Sequence, residues 1–100
     1  LKDLFCNEDS VIIPTGFTPN DDNINDSYRI INKGVDLIYF NFKIYNRLGQ
    51  SVFTSNNINN HWDGTYKGEK LHAQVLDYYI EMECVGGKKL FKKGNITLIE

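Results

Sequence analysis

Val75-Leu76-Asp77-Tyr78-Tyr79-Ile80-Glu81-Met82-Glu83-Cys84 is the stretch on which the fold turns. Leu76, Tyr78, Ile80, Met82 and Cys84 take alternate positions, and Asp77, Glu81 and Glu83 stand between them. Period two marks a strand with one face buried and one in water. Gly86-Gly87 follows, a pair that accepts the positive φ of a two-residue type I′ turn, so a hairpin is expected. The return runs through Leu90-Phe91 and ends on Ile96-Thr97-Leu98-Ile99.

The same alternation recurs upstream. In Leu37 to Tyr45, Phe40, Phe42 and Ile44 share one face, with Asn41 and Lys43 opposite. Asn46-Arg47-Leu48-Gly49 supplies a turn and Ser51-Val52-Phe53-Thr54 runs back, a second hairpin. Val11-Ile12-Ile13 and Tyr28-Arg29-Ile30-Ile31 fit shorter strands. Helical periodicity is almost absent. Six or seven strands separated by turn signals predict an all-β, antiparallel sandwich.

A chain of 100 residues with a hydrophobic fraction of 41% is enough for one domain with a real core. The formal net charge of −2 makes no case for nucleic-acid binding. No apolar run reaches the ~18 residues of a membrane helix. The chain starts at Leu1 and its single Met is Met82. The expectation is a single domain over residues 1–100, cut from a larger protein. Cys6 and Cys84 sit far apart, outside any CxxC or Cys/His metal pattern. They read either as two separate buried thiols or as one long-range disulfide.

Charged groups cluster in two places. Thr18-Pro19-Asn20-Asp21-Asp22-Asn23-Ile24-Asn25-Asp26 crowds carboxylates and amides into one loop. Such oxygens suit calcium, which takes 6–8 of them, but also an Asx-rich turn that caps its own backbone. The loop lacks the glycine and glutamate of an EF-hand. Lys88, Lys89, Lys92 and Lys93 form the second cluster: a solvated face guarding a strand edge, or a docking patch for an acidic partner. His61-Trp62-Asp63-Gly64 reads as a core plug followed by a tight turn held by Asp63. A sugar-stacking platform on Trp62 is the functional alternative. No GxSxG, HExxH or phosphate-binding glycine loop is present, and no base accompanies the carboxylates, so no enzyme, catalytic residue or small-molecule substrate is expected.

Four segments together resemble a known family. "IPTGFTPNDDNINDSYRI" (Ile13 to Ile30) resembles the "vPNaFTPNGDGvND" opening of the gliding-motility-associated C-terminal domain, the type B sorting domain of the Bacteroidetes type IX secretion system. "FKIYNRLGQSVFTS" (Phe42 to Ser55) is similar to its "iyNRwGq.vF" hairpin, "HWDGTYKGEKL" (His61 to Leu71) to its "WDGtykGk" segment, and "FKKGNITLIE" (Phe91 to Glu100) to its terminal "f.KGnvTLir". The chain departs from that pattern at Asp21 and Asn23, where the family has glycines, and at Leu48, where it has Trp. His72 and Gln74 replace the usual Pro and Gly.

The resemblance implies an immunoglobulin-like β-sandwich of about seven strands, acting as a non-catalytic C-terminal signal on a secreted or surface protein such as an adhesin. It implies reading by the outer-membrane translocon and a dedicated outer-membrane partner, after transit of the periplasm. That compartment moves Cys6 and Cys84 toward a bond. It also favours calcium slightly, with Asn20, Asp22, Asn25 and Asp26 as ligands and Asp63 reaching in from the WDG turn. The competing expectation is an adhesive or carbohydrate-binding accessory module.

Overall fold

The computed structural model describes residues 11–18, 27–34 and 36–99. Nine strands follow one another with no helix among the described residues: β1 (Val11–Ile12), β2 (Gly16–Phe17), β3 (Ile31–Asn32), β4 (Leu37–Tyr45), β5 (Ser51–Ser55), β6 (Thr65–Tyr66), β7 (Glu69–Lys70), β8 (Gln74–Cys84) and β9 (Lys89–Leu98). The long strands are those whose alternation is clearest in the sequence. β8 lies at the centre of a five-stranded sheet ordered β2-β9-β8-β4-β5. Its register runs from Gln74↔Leu98 to Glu83↔Lys89 on one side and from Leu37↔Cys84 to Tyr45↔Asp77 on the other.

Because side chains alternate, that register stacks one inward row after another. Phe40, Phe42 and Ile44 of β4, Leu76, Ile80, Met82 and Cys84 of β8, and Ile96 and Leu98 of β9 are all buried. Each such side chain contributes roughly 1.5–3 kcal/mol when removed from water. The facing layer is built from small pieces: the β1–β3 ladder, the β6–β7 hairpin and an antiparallel bridge between Tyr28 and Trp62. Val11, Tyr28, Ile30 and Trp62 close the core from that side.

Five aromatic rings join the layers in a closed circuit. Phe17–Tyr28 centroids are 5.6 Å apart, Tyr28–Phe42 6.0 Å, Phe42–Phe53 6.0 Å, Phe53–Trp62 6.0 Å and Trp62–Phe17 5.5 Å. Most pairs are tilted or edge-on, the arrangements that favour the ring quadrupoles.

The strand expected over Tyr28–Ile31 is confined to Ile31–Asn32, with Tyr28 held in an isolated bridge, and three further features differ from the strand-by-strand reading. The return arm of the last hairpin is one ten-residue strand, not two short pieces. Lys92, Lys93 and Gly94 break its apolar pattern, yet Gly94 belongs in the strand because the ring of Tyr78 lies across it; a Cβ there would stand 2.8 Å from that ring. Second, β2 pairs parallel to β9, Gly16 opposite Thr97 and Phe17 opposite Leu98. Two residues show no periodicity to read, and the tight approach needs Gly16, whose Cβ would meet the Thr97 carbonyl at 2.7 Å. Third, the loop between β8 and β9 is longer than two residues. Gly86 and Gly87 do take positive φ, 108° and 95°, and Gly87 N donates to Cys84 O at 2.9 Å. Val85 is drawn aside, however, its N–H donating to Asp36 O at 2.8 Å.

Candidate functional site

Strand alternation splits the lysine cluster. Lys89 and Lys93 share the outer face of the sheet with Phe91, opposite Glu83 and Tyr79 on β8. Leu90 and Lys92 belong to the other face, Lys92 half-buried, and Lys88 sits in the turn, where its carbonyl accepts from Cys84 N at 2.8 Å. Phe91 is 52% exposed and meets Tyr79 edge-on at 4.5 Å. The outer face is therefore striped: carboxylates of Asp77, Glu81 and Glu83 run down β8, with Lys43 of β4 on one flank and Lys89 and Lys93 of β9 on the other.

The His61–Leu71 segment folds on itself around Trp62. The indole is 3% exposed, donates from Nε1 to Thr65 O at 2.9 Å, and its backbone exchanges two hydrogen bonds with Tyr28. A sugar platform requires an open ring face, and this one is packed between Phe17 and Phe53. Asp63 Oδ1 accepts from Thr65 Oγ1 at 2.6 Å and from Thr65 N at 3.1 Å. The hydroxyl bond above all, aided by the amide bond and the charge of Lys70, holds this carboxyl below the usual carboxylate range despite some desolvation. Gly64, at φ 83°, reverses the chain so that its carbonyl accepts from Leu71 N at 3.0 Å.

Two amide- and hydroxyl-centred turns escaped the sequence reading as structural devices. Asn46 Oδ1 accepts from Leu48 N and Gln50 N at 3.0 and 2.9 Å, and its Nδ2 donates to Gln50 Oε1 at 2.7 Å. That scaffold leaves Leu48, the residue in the family's Trp position, 85% exposed at the hairpin tip. Ser55, buried at the end of β5, donates to Asn57 O at 2.9 Å and accepts from Asn57 N and Asn60 Nδ2. The Asn-rich run Asn56 to Asn60 was the available signal.

Cys84 is buried on the inward face of β8. Cys6 and the acidic loop residues Asn20, Asp22, Asn25 and Asp26 lie outside the described residues, so only Asp63 of the expected calcium ligands has a described position. No group of three or more metal-ligating side chains occurs among the described residues.

These features define a class: an all-β module whose described surface offers sheet faces, strand edges and side-chain-held turns. The chain belongs to the CHU_C type IX secretion signal domain family, whose model matches residues 11–98. Members of that family are in general non-catalytic export signals, so the domain directs its protein to the type IX machinery and on to the cell surface or medium. Comparison with curated proteins gives no match.

Proposed function

We propose that this domain is the C-terminal address of a larger Bacteroidetes surface or adhesin-like protein, of the gliding-motility-associated type B class. It would be read in folded form by the outer-membrane translocon and a dedicated outer-membrane partner, after crossing the periplasm. The carrying observation is the family match across residues 11–98, supported by four motifs in family order. A folded signal also suits the architecture, because the terminal "KGNITL" motif is most of a strand lying between β2 and β8. An adhesive module with Trp62 as platform gains nothing from a ring that is 3% exposed.

Two accessory properties belong to the same reading. A Cys6–Cys84 disulfide is supported by the burial of Cys84 and by the absence of free thiols among the described residues. Weak calcium binding by Asn20, Asp22, Asn25 and Asp26 is supported by their oxygen chemistry. Asp63 would add to that site only through a carboxylate already held by Thr65. A melting temperature unchanged by millimolar calcium would make the loop an Asx-rich turn instead.

Fusing residues 1–100 to a foreign periplasmic reporter in a type IX-competent cell tests the central reading. The fusion should reach the surface or medium, and the same fusion lacking Asn95 to Glu100 should not. Retention of the complete fusion inside the cell, in a strain that exports its own substrates, would sink it. A reporter that stays inside yet binds cells or polysaccharide when added from outside would give the role to the adhesive module.

A further inference from the structure

β4 outruns its neighbour. β8 pairs with it as far as Leu37, but β5 pairs with it only from Phe42 to Tyr45. From Leu37 to Asn41 one side of β4 therefore has no strand partner among the described residues. Along such a side every second residue aims its N–H and C=O outward, a ready template for another strand. The segment Leu37-Ile38-Tyr39-Phe40-Asn41 carries no Lys or Pro to discourage pairing. Its one irregularity, a register shift between Leu37 and Tyr39, leaves Ile38 61% exposed and Tyr39 47% exposed.

The space beside this edge is shaped. Ser55 turns the chain away at the end of β5 through its bonds to Asn57 and Asn60. A groove of about 480 Å³ remains between the β4 edge and that loop, bordered by Tyr39, Asn41, Lys43, Asn56 and Asn60. It continues into a second hollow of about 320 Å³ walled by Leu37, Ile38 and Ile58. One end is cationic, the middle offers amides that can both donate and accept, and the far end is apolar.

We infer that the Leu37–Asn41 edge is a strand-acceptor site for an extended peptide segment of a partner protein, laid antiparallel to β4 in the row that β5 leaves at Ser55. The segment carries an acidic residue at its N-terminal end beside Lys43 and an apolar residue at its C-terminal end between Leu37 and Ile58. β5 already sets that direction along the row, and antiparallel pairing is the slightly stronger kind per residue. A second copy is the poorer occupant: the carboxylate it could bring toward Lys43 is Asp36, just outside the edge, whose backbone carbonyl is tied to Val85 N at 2.8 Å.

The probe is the acetylated, amidated peptide Asp-Thr-Val-Thr-Val-Ile, titrated into the nitrogen-15-labelled chain of residues 1–100. Amide shifts should concentrate on Leu37–Asn41 and Asn56–Asn60, and hydrogen exchange at the outward amides of β4 should slow. Lys43→Glu should weaken binding roughly fivefold, and a peptide beginning with Lys should recover it on that variant. Ile38→Lys, at an exposed position, should weaken binding with the rest of the spectrum unchanged. No response at millimolar peptide would overturn the proposal, as would shifts confined to another face. Sedimentation showing that these amides respond only to the domain's own concentration would overturn it too, assigning the edge to a second copy.

Discussion

Tyr28 donates its hydroxyl to Pro14 O at 2.6 Å, exchanges two backbone hydrogen bonds with Trp62, stacks on Phe42 and meets Phe17 at a tilt. Burial, and secondarily the neighbouring Tyr78, pushes its phenol above the ordinary tyrosine range. The phenol is neutral while protonated, so a raised folded value means that the folded state keeps a proton the unfolded chain gives up. The associated stability is complete below about pH 10 and declines as pH rises toward the folded value, by at most about 1.4 kcal/mol per pH unit. Tyr28→Phe should cost about 1 kcal/mol at neutral pH, through the carbonyl of Pro14 left without its donor, yet lose stability less steeply between about pH 10 and 11. Tyr78, also raised by burial, keeps the residual slope from vanishing. Urea unfolding of both proteins at neutral and alkaline pH checks this; parallel losses would refute it. At this scale the sequence was partly legible. Trp62 before Asp-Gly announced a buried ring and a turn, but nothing near Tyr28 in sequence announced its bridge to Trp62, a contact across 34 positions.

Among the elements, β4, β5 and β8 were read nearly to the residue, because nine, five and eleven residues give alternation room to show. β2 exists only through its distant partner β9, and β6 and β7 only through each other across the two-residue Lys67-Gly68 turn; two residues each are too few for alternation to show. The middle of β9 is not announced by alternation, because Lys92, Lys93 and Gly94 interrupt the apolar pattern, and only the ring of Tyr78 over Gly94 accounts for the glycine. The β8–β9 hairpin also carries Cys84, inward-facing and buried. If it is bonded to Cys6, the closed loop of about 80 residues contributes ~4 kcal/mol on the chain-entropy model, less where native geometry is strained. Alkylation of native protein under non-reducing conditions should add no label by intact mass, and reduction should lower the urea midpoint without altering the strand content seen by circular dichroism. Two labelled thiols in native, unreduced protein would be decisive against the bond.

For the molecule as a whole, composition and alternation together specified an all-β, two-faced architecture, whereas the distribution of charge over it needed the register. The four lysines are neighbours in sequence, yet the strand turns Lys89 and Lys93 to the outer face beside Phe91 and sends Lys92 to the opposite one. If the hairpin is a docking face for an acidic partner, the outer pair should matter and Lys92 should not. Exposed charges contribute little to stability, typically under about 1 kcal/mol, so Lys89→Gln with Lys93→Gln should leave the fold and melting temperature nearly unchanged. Export of a reporter fusion should nonetheless fall, and association with an isolated partner should weaken with added salt less steeply than for the parent, because two of the steering charges are gone. Lys92→Gln alone serves as the control on the other face. Normal export by the double variant, with the parent exported in parallel, would move recognition off the outer face of β9 and leave its lysines as guards of solubility.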